Sequence, residues 1–260
     1  MTERWVKING SQIHYQWINE DYPPEPFLVF LHEGLGSIPQ WKNFPKRVSH
    51  VLKMPALLYE RAGYGKSSPA QQQRPKDFLK TEGEIVLPQL LQNLNAKGIH
   101  YVFGHSDGGT VALYYASVNP ANLQKIIVVA PHVFLEDISR QGISKTRNAF
   151  LSGKLKSALD KFHAPHTENV VLSWTNYWLD PANKDWNMFN ELTKIACPVC
   201  FIQGDNDMFG SFRQAEEIEQ RVNGSFEKLL LDNCGHSPHF EKQQVIIDFF
   251  RACLLADLSS

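Results

Sequence analysis

Cysteine is scarce in this chain, with four in 260 residues, and neither sign of charge accumulates: 26 Lys and Arg face 27 Asp and Glu, for a net charge of -1. The lack of a charge surplus excludes the electrostatic footprint of a nucleic-acid binder or of a protein held on an anionic membrane surface. The one close pair, Cys197-Pro198-Val199-Cys200, lies at the entrance of an apparent strand, where side chains an odd number of positions apart face opposite sides. The pair is therefore expected to be two free thiols in a reducing compartment, neither a redox couple nor part of a zinc site. No apolar run is long enough to cross a bilayer. The start, Met1-Thr2-Glu3-Arg4-Trp5, has no basic residue followed by an apolar stretch, so no secretory signal is expected and a cytoplasmic location is. No internal repeat is visible.

What the chain does have is an ordinary globular composition, 43% hydrophobic and 20% charged, with sixteen Phe and six Trp to fill an apolar interior. Two β-rich stretches around Asn9-Gly10 predict a hairpin. Phe27-Leu28-Val29-Phe30-Leu31 is a continuous apolar run, as in a strand buried on both faces. A helix is expected over residues 41–52, then a strand Ala56-Leu57-Leu58-Tyr59, then a solvated glutamine run at Gln71-Gln72-Gln73. Helical spacing of Ile85, Leu87, Leu90, Leu91 and Leu94 predicts an amphipathic helix over residues 82–95, with Pro88 absorbed by a kink or a late start. Further apolar runs at 100–103, 126–130, 199–202 and 228–231 alternate with helical patterns. The expected fold class is α/β, a mostly parallel central sheet flanked by helices. The alternation stops between residues 134 and 192, where a helical insertion rich in aromatics is expected, most of them building its own small core, with His163 and His166 on its surface. The domain reading is thus a core of residues 1–133 and 193–260 carrying a cap of residues 134–192.

The chemistry centres on Gly104-His105-Ser106-Asp107-Gly108-Gly109, between an apolar run and the helical Thr110-Val111-Ala112-Leu113. Strand, Gly-x-Ser-x-Gly turn and helix together form the pattern that holds a serine on a strained, exposed elbow. A serine hydroxyl needs a base and a group to orient that base. His236, in a Gly-His turn after the last strand, is the candidate base. Asp207, in Gly204-Asp205-Asn206-Asp207, is the favoured acid, with Asp205, Glu136 and Asp137 as alternatives. Two backbone N–H groups, of Asp107 and of Gly34 in His32-Glu33-Gly34-Leu35-Gly36, are the candidate oxyanion hole. Glu33 beside that hole is unfavourable unless it is paired or points away. Glu33, His105, Trp174 and Trp178 are the candidate substrate contacts.

Taken in order, these motifs resemble those of the α/β-hydrolase fold family. The resemblance rests on His32-Glu33-Gly34-Leu35-Gly36, on Glu60-Arg61-Ala62-Gly63-Tyr64-Gly65-Lys66-Ser67, on the serine elbow, on Gly204-Asp205-Asn206-Asp207, and on Gly235-His236 followed by Glu241. It implies an α/β-hydrolase fold with a helical cap after the sixth strand and a serine hydrolase acting on a small carboxylic ester, thioester or lactone through an acyl-enzyme. No metal or organic cofactor is implied. The expected partner is a small-molecule substrate, without nucleic acid or membrane; a homodimer is compatible with the sequence. Glu33 and Asp107 depart from the family's pattern. The same scaffold also serves C–C bond hydrolysis, haloperoxidase and cofactor-free oxygenase chemistry, or ligand binding without turnover.

Overall fold

The computed structural model describes residues 3–70 and 73–258, so Gln71 and Gln72 of the expected glutamine loop lie outside the described residues. Eight strands form one sheet: β1 (Arg4–Ile8), β2 (Ser11–Ile18), β3 (Phe27–Leu31), β4 (Ala56–Tyr59), β5 (His100–His105), β6 (Leu123–Val129), β7 (Val199–Gly204) and β8 (Phe226–Leu231). Their spatial order is β1-β2-β4-β3-β5-β6-β7-β8. The β1–β2 and β2–β4 pairings are antiparallel and every other pairing is parallel. Asn9 and Gly10 join the first two strands with φ of 48° and 86°, the double positive φ that matches strand twist in a two-residue hairpin.

The sheet separates two apolar layers, and strand periodicity decides which residue enters which. Phe27, Val29 and Leu31 of β3 face one layer with the helix Asp107–Ser117, while Leu28 and Phe30 face the other with the helices Phe44–Leu52 and Gln243–Leu258. All five are buried, as are all six residues of the central β5. This is the burial expected of parallel strands covered on both sides.

Two helices differ from the expectation in ways that have local causes. The region 41–52 divides into a 3₁₀ turn, Pro39–Trp41, and the helix Phe44–Leu52, because Lys42 between them has a φ of 53°. The region 82–95 begins earlier, at Phe78, and passes through a π-turn at Glu82–Val86 before continuing as Leu87–Asn93. Within it the Leu87 N–H donates to the Glu82 carbonyl five residues back. Pro88 has no N–H to give, and the widened turn accommodates that loss without ending the helix. Buried Glu82 in that turn accepts a bond from the Tyr59 hydroxyl at 2.8 Å.

Between β6 and β7 the chain forms the helices Asp137–Leu151, Lys156–His163, Thr167–Leu179 and Phe189–Leu192. The aromatic residues here do not form a separate core, contrary to expectation. Trp174, Tyr177 and Trp178 belong to the main apolar layer above the sheet, and the small local cluster of this segment is built from Phe150, Leu159 and Val171. The reason is geometric: the helix Thr167–Leu179 sets Trp174 against Gly34 and Asp107 and packs Tyr177 and Trp178 on Phe78, so its largest side chains join the main core. His163 is likewise fully buried, not at the surface. Its Nδ1 accepts the Gly65 N–H at 3.1 Å and its Nε2 donates to the Leu35 carbonyl at 2.9 Å.

Among the described residues, no helix is long and apolar enough to cross a membrane. Cys197, Cys200, Cys234 and Cys253 are free thiols. Burial pushes the Cys197 thiol up to about 12, which keeps it protonated and unreactive at neutral pH.

Candidate active site

Four of the residues singled out for chemistry stand beyond the C-terminal end of a strand. Gly34 follows β3, Ser106 follows β5, Asp207 follows β7 and His236 follows β8. In an open α/β sheet this edge is where ligands bind. Ser106 has φ 54° and ψ -121°, a sterically costly conformation for a residue with a side chain. It is fixed on both sides, because its N–H donates to the Val129 carbonyl at 2.8 Å and its carbonyl accepts from the Thr110 N–H at 3.1 Å. The flanking glycines are required by contact: a Cβ on Gly108 would lie 2.0 Å from the Leu31 carbonyl oxygen, and one on Gly104 2.2 Å from that of Gly108. Asp107 opens the helix Asp107–Ser117, where the first N–H groups have no partner within the helix and carry its positive end.

His236 is held by Asp207. Its Nδ1 lies 2.8 Å and 2.9 Å from the two carboxylate oxygens. Asp207 is 4% exposed, and it also accepts from the Phe209 N–H at 2.8 Å and the Gln203 amide at 3.3 Å. Burial pushes its carboxyl up, but the His236 charge and hydrogen bond, with those two donors, outweigh burial and hold it below the usual carboxylate value. For His236 burial acts downward; Asp207 outweighs it, Glu33 and Asp107 add to the effect, and the ring ends above the ordinary histidine value. With Nδ1 occupied, Nε2 is the nitrogen free to exchange a proton.

The loop after β3 is oriented through one carbonyl. The Glu33 carbonyl accepts from His32 Nδ1 at 2.8 Å and from Arg61 Nη2 at 2.7 Å. His32 Nε2 in turn accepts the Arg61 N–H at 3.1 Å, which fixes the tautomer. Burial, with the nearby Arg61 charge, holds His32 well below its ordinary value and hence neutral. Because the Glu33–Gly34 peptide is planar and its N–H points opposite its C=O, this clamp also aims the Gly34 N–H. The Glu33 side chain, 30% exposed, turns to His105, with Oε2 2.8 Å from Nδ1.

The carboxylate of Asp107 is fully buried in a second polar group. Trp174 Nε1 donates to its Oδ2 at 3.1 Å, Arg61 Nη1 lies 3.7 Å from the same oxygen, and His132 Nε2 lies 3.5 Å from Oδ1. Asp107 Oδ1, His132 Nε2, and Arg61 Nε and Nη1 have no hydrogen-bond partner although all are buried. Beside them is a cavity of about 10 Å³ lined by Ser106, His132, Leu135, Trp174, Trp178 and Phe209, among others. That is room for about one water.

The structure thus brings Ser106, Asp207, His236, Asp107 and Gly34 to one sheet edge, with Trp174 and Trp178 in the cavity wall. His105 and Glu33 sit behind His236, away from that cavity. The alternative acids do not reach the histidine. Asp205 accepts the Cys234 N–H at 3.2 Å; Glu136 binds Ser211 and Gln214; Asp137 starts the helix Asp137–Leu151. Sequence reasoning passed over Arg61, His132 and His32 as parts of the site. Their one legible signal was position, since Arg61 and His132 each come within three residues of a strand's end, as the selected residues do.

A buried mostly parallel sheet with a strained serine and a His–Asp pair at its C-terminal edge defines a class of α/β enzymes. The family model for the alpha/beta hydrolase fold matches residues 26–156, half of the chain, and the chain belongs to that family and is a hydrolase. It is similar to the human protein named serine hydrolase BPHL, 25% identical over 86% of this chain and 77% of that one. It is also similar to a 2-hydroxy-6-oxononadienedioate/2-hydroxy-6-oxononatrienedioate hydrolase of Paraburkholderia xenovorans, 23% identical over 95% of each chain. Among solved structures, VinJ shares the fold with a TM-score of 0.77 at 18% identity, over 98% of both chains.

Proposed function

We propose that this protein is a serine hydrolase that cleaves a small carboxylic ester through an acyl-enzyme, with Ser106, His236 and Asp207 as its triad and residues 134–192 as a cap over the acyl group. The observation that carries the reading is Ser106 itself, held at φ 54° on the turn between β5 and a buried helix. A strained serine at a strand end, on the same sheet edge as a carboxylate-bound histidine, is the arrangement nucleophilic catalysis needs. His236 Nε2 takes the Ser106 proton as the hydroxyl oxygen attacks the carbonyl carbon. The tetrahedral oxyanion receives hydrogen bonds from the Asp107 and Gly34 N–H groups. Collapse expels the alcohol, which leaves with the proton from His236. Water, deprotonated by the same ring, then releases the acid and restores Ser106. Asp207 keeps Nδ1–H in place throughout and stabilises the transient imidazolium.

The narrow cavity favours a short acyl group, and the unpartnered atoms of Asp107, His132 and Arg61 favour one that carries a hydrogen-bonding substituent. A thioester or lactone would react by the same steps. The similarity to a hydrolase of an oxo-dienedioate supports a second reading, hydrolysis of a C–C bond next to a carbonyl with the same triad. Purified protein should cleave short p-nitrophenyl esters, should be labelled at Ser106 by a fluorophosphonate, and should lose at least about four orders of magnitude in kcat as Ser106→Ala. Absence of labelling in the folded protein would overturn the triad. Turnover of a β-diketone with no turnover of any ester would move the assignment to the second reading.

A further inference from the structure

We propose that Glu33 and His105 are positioning residues, a side-chain relay that fixes the main chain of His236 and ties it to the loop carrying Gly34. The proposal rests on the triad reading above and names a part of the machinery which that reading does not use.

The relay is continuous. Glu33 Oε2 lies 2.8 Å from His105 Nδ1, and His105 Nε2 lies 2.8 Å from the carbonyl oxygen of His236. A carbonyl oxygen only accepts, so Nε2 carries a hydrogen and donates it. The other ring nitrogen then meets the carboxyl group across a proton that one of the two must hold. The ring is clamped at both ends, and His105 is 1% exposed.

Its packing leaves it little freedom. In β5 it shares the face of Phe103, opposite the cavity beside Ser106, and its ring packs against His239 at 4.5 Å, His236 at 5.0 Å and Trp41 at 6.4 Å between centroids. His239 is held well below its ordinary value by burial, with His105 and His236 adding, so it is a neutral neighbour.

Three segments meet in this relay: the loop after β3 through Glu33, the last residue of β5 through His105, and the loop after β8 through His236. Asp207 orients the His236 ring from Nδ1, but a ring turns about a backbone that must itself be fixed. The relay supplies that second constraint from the opposite side. It also explains why Glu33 is tolerated beside an oxyanion hole. Its carbonyl aims the Gly34 N–H, while its carboxyl faces away to a partner. Burial acts to raise that carboxyl, but His105 first, then His236 and Arg61, bring it below the usual value. A misplacement of about 1 Å at such a site costs about a hundredfold in rate.

The test compares Glu33→Ala, Glu33→Gln, His105→Ala and the Glu33→Ala/His105→Ala double variant with the native enzyme on p-nitrophenyl acetate, together with proton NMR of the imidazole N–H groups. Glu33→Ala and His105→Ala should each lower kcat about ten- to a hundredfold with KM changed less than about threefold. The double variant should be no worse than the weaker single, because both break one chain. Glu33→Gln should recover most of the rate, since its amide can donate to an unprotonated Nδ1. The native protein should show a slowly exchanging His105 Nε2 proton whose exchange Glu33→Ala speeds and Glu33→Gln leaves slow. Losses that multiply in the double variant, an unchanged kcat in Glu33→Ala, or no protected His105 proton in the native protein would overturn the relay. Failure of the triad reading shows separately, as an unlabelled Ser106 in the native protein, while the NMR arm still reports on the relay.

Discussion

Two buried carboxylates lie at the sheet edge that carries Ser106, and their surroundings differ. At Asp207 both oxygens are occupied: His236 Nδ1 bridges them, the Phe209 N–H binds one and the Gln203 amide the other. At Asp107, Trp174 Nε1 binds Oδ2, while His132 and Arg61 stand off at 3.5 Å and 3.7 Å and Oδ1 has no hydrogen-bond partner. A buried polar group left unpaired costs about 1–3 kcal/mol, more when charged. The Asp207 corner is complete without a ligand and suits a part whose geometry must not change. The Asp107 corner is incomplete and suits a part that a substrate finishes. Both corners lie at one sheet edge, and under the proposed function the comparison would separate residues that perform the reaction from residues that choose its substrate.

The sharpest way to break this comparison is Asp207→Asn. The amide can accept from Nδ1–H through its oxygen or donate through its nitrogen, and the second choice leaves His236 in the wrong tautomer. A fall in kcat of about four orders of magnitude with KM little changed is expected from steady-state kinetics. A loss confined to KM would place Asp207 in substrate binding and erase the distinction. Asp107→Ala keeps the backbone N–H and removes only the carboxylate. It should leave kcat/KM for a plain alkanoyl ester within about threefold of native, while the preference for an acyl group bearing a hydroxyl or amino substituent falls by about tenfold or more. Equal losses on both substrates would show that Asp107 serves the chemistry itself. The smallest effect is in the pH profile. A base works only when neutral, and the raised value of His236 puts the acid limb of kcat/KM above the ordinary histidine value of about 6.5. Asp107 contributes to that rise, so Asp107→Ala should move the limb toward lower pH, and a shift the other way would contradict the assigned electrostatics.

The two corners also differ in how legible they are in the sequence. Ser106, Asp207 and His236 each follow a strong strand pattern within a glycine-marked turn, so topology alone carries them to a common edge. The group of Arg61, Asp107 and His132 has no such mark. It exists because three loops fold over one another and Trp174 descends from the segment 134–192, and no local pattern encodes that meeting. His163 illustrates the same limit. The helix Lys156–His163 sets His163 four residues after the buried Leu159, on the same face, but nothing local says that the ring will be held between Leu35 and Gly65. The strands of the sheet, by contrast, are written in runs such as 27–31, where continuous apolarity has one stable outcome. Pro88 falls between these cases, since the sequence shows that the helix must yield there but leaves open a kink, a late start or the π-turn it adopts.

Besides lining the cavity, the segment 134–192 reaches Gly34 and Asp107: Trp174 lies against the first and binds the second, and His163 binds the carbonyl of Leu35 next to Gly34. These are the same two residues whose N–H groups are assigned to the oxyanion. Whatever movement admits a substrate into a cavity of about 10 Å³ must therefore loosen the contacts that shape the catalytic loop. Entry and reaction would then occur in turn, with the enzyme either receptive or reactive, and an open, water-filled site would be a poor catalyst of side reactions.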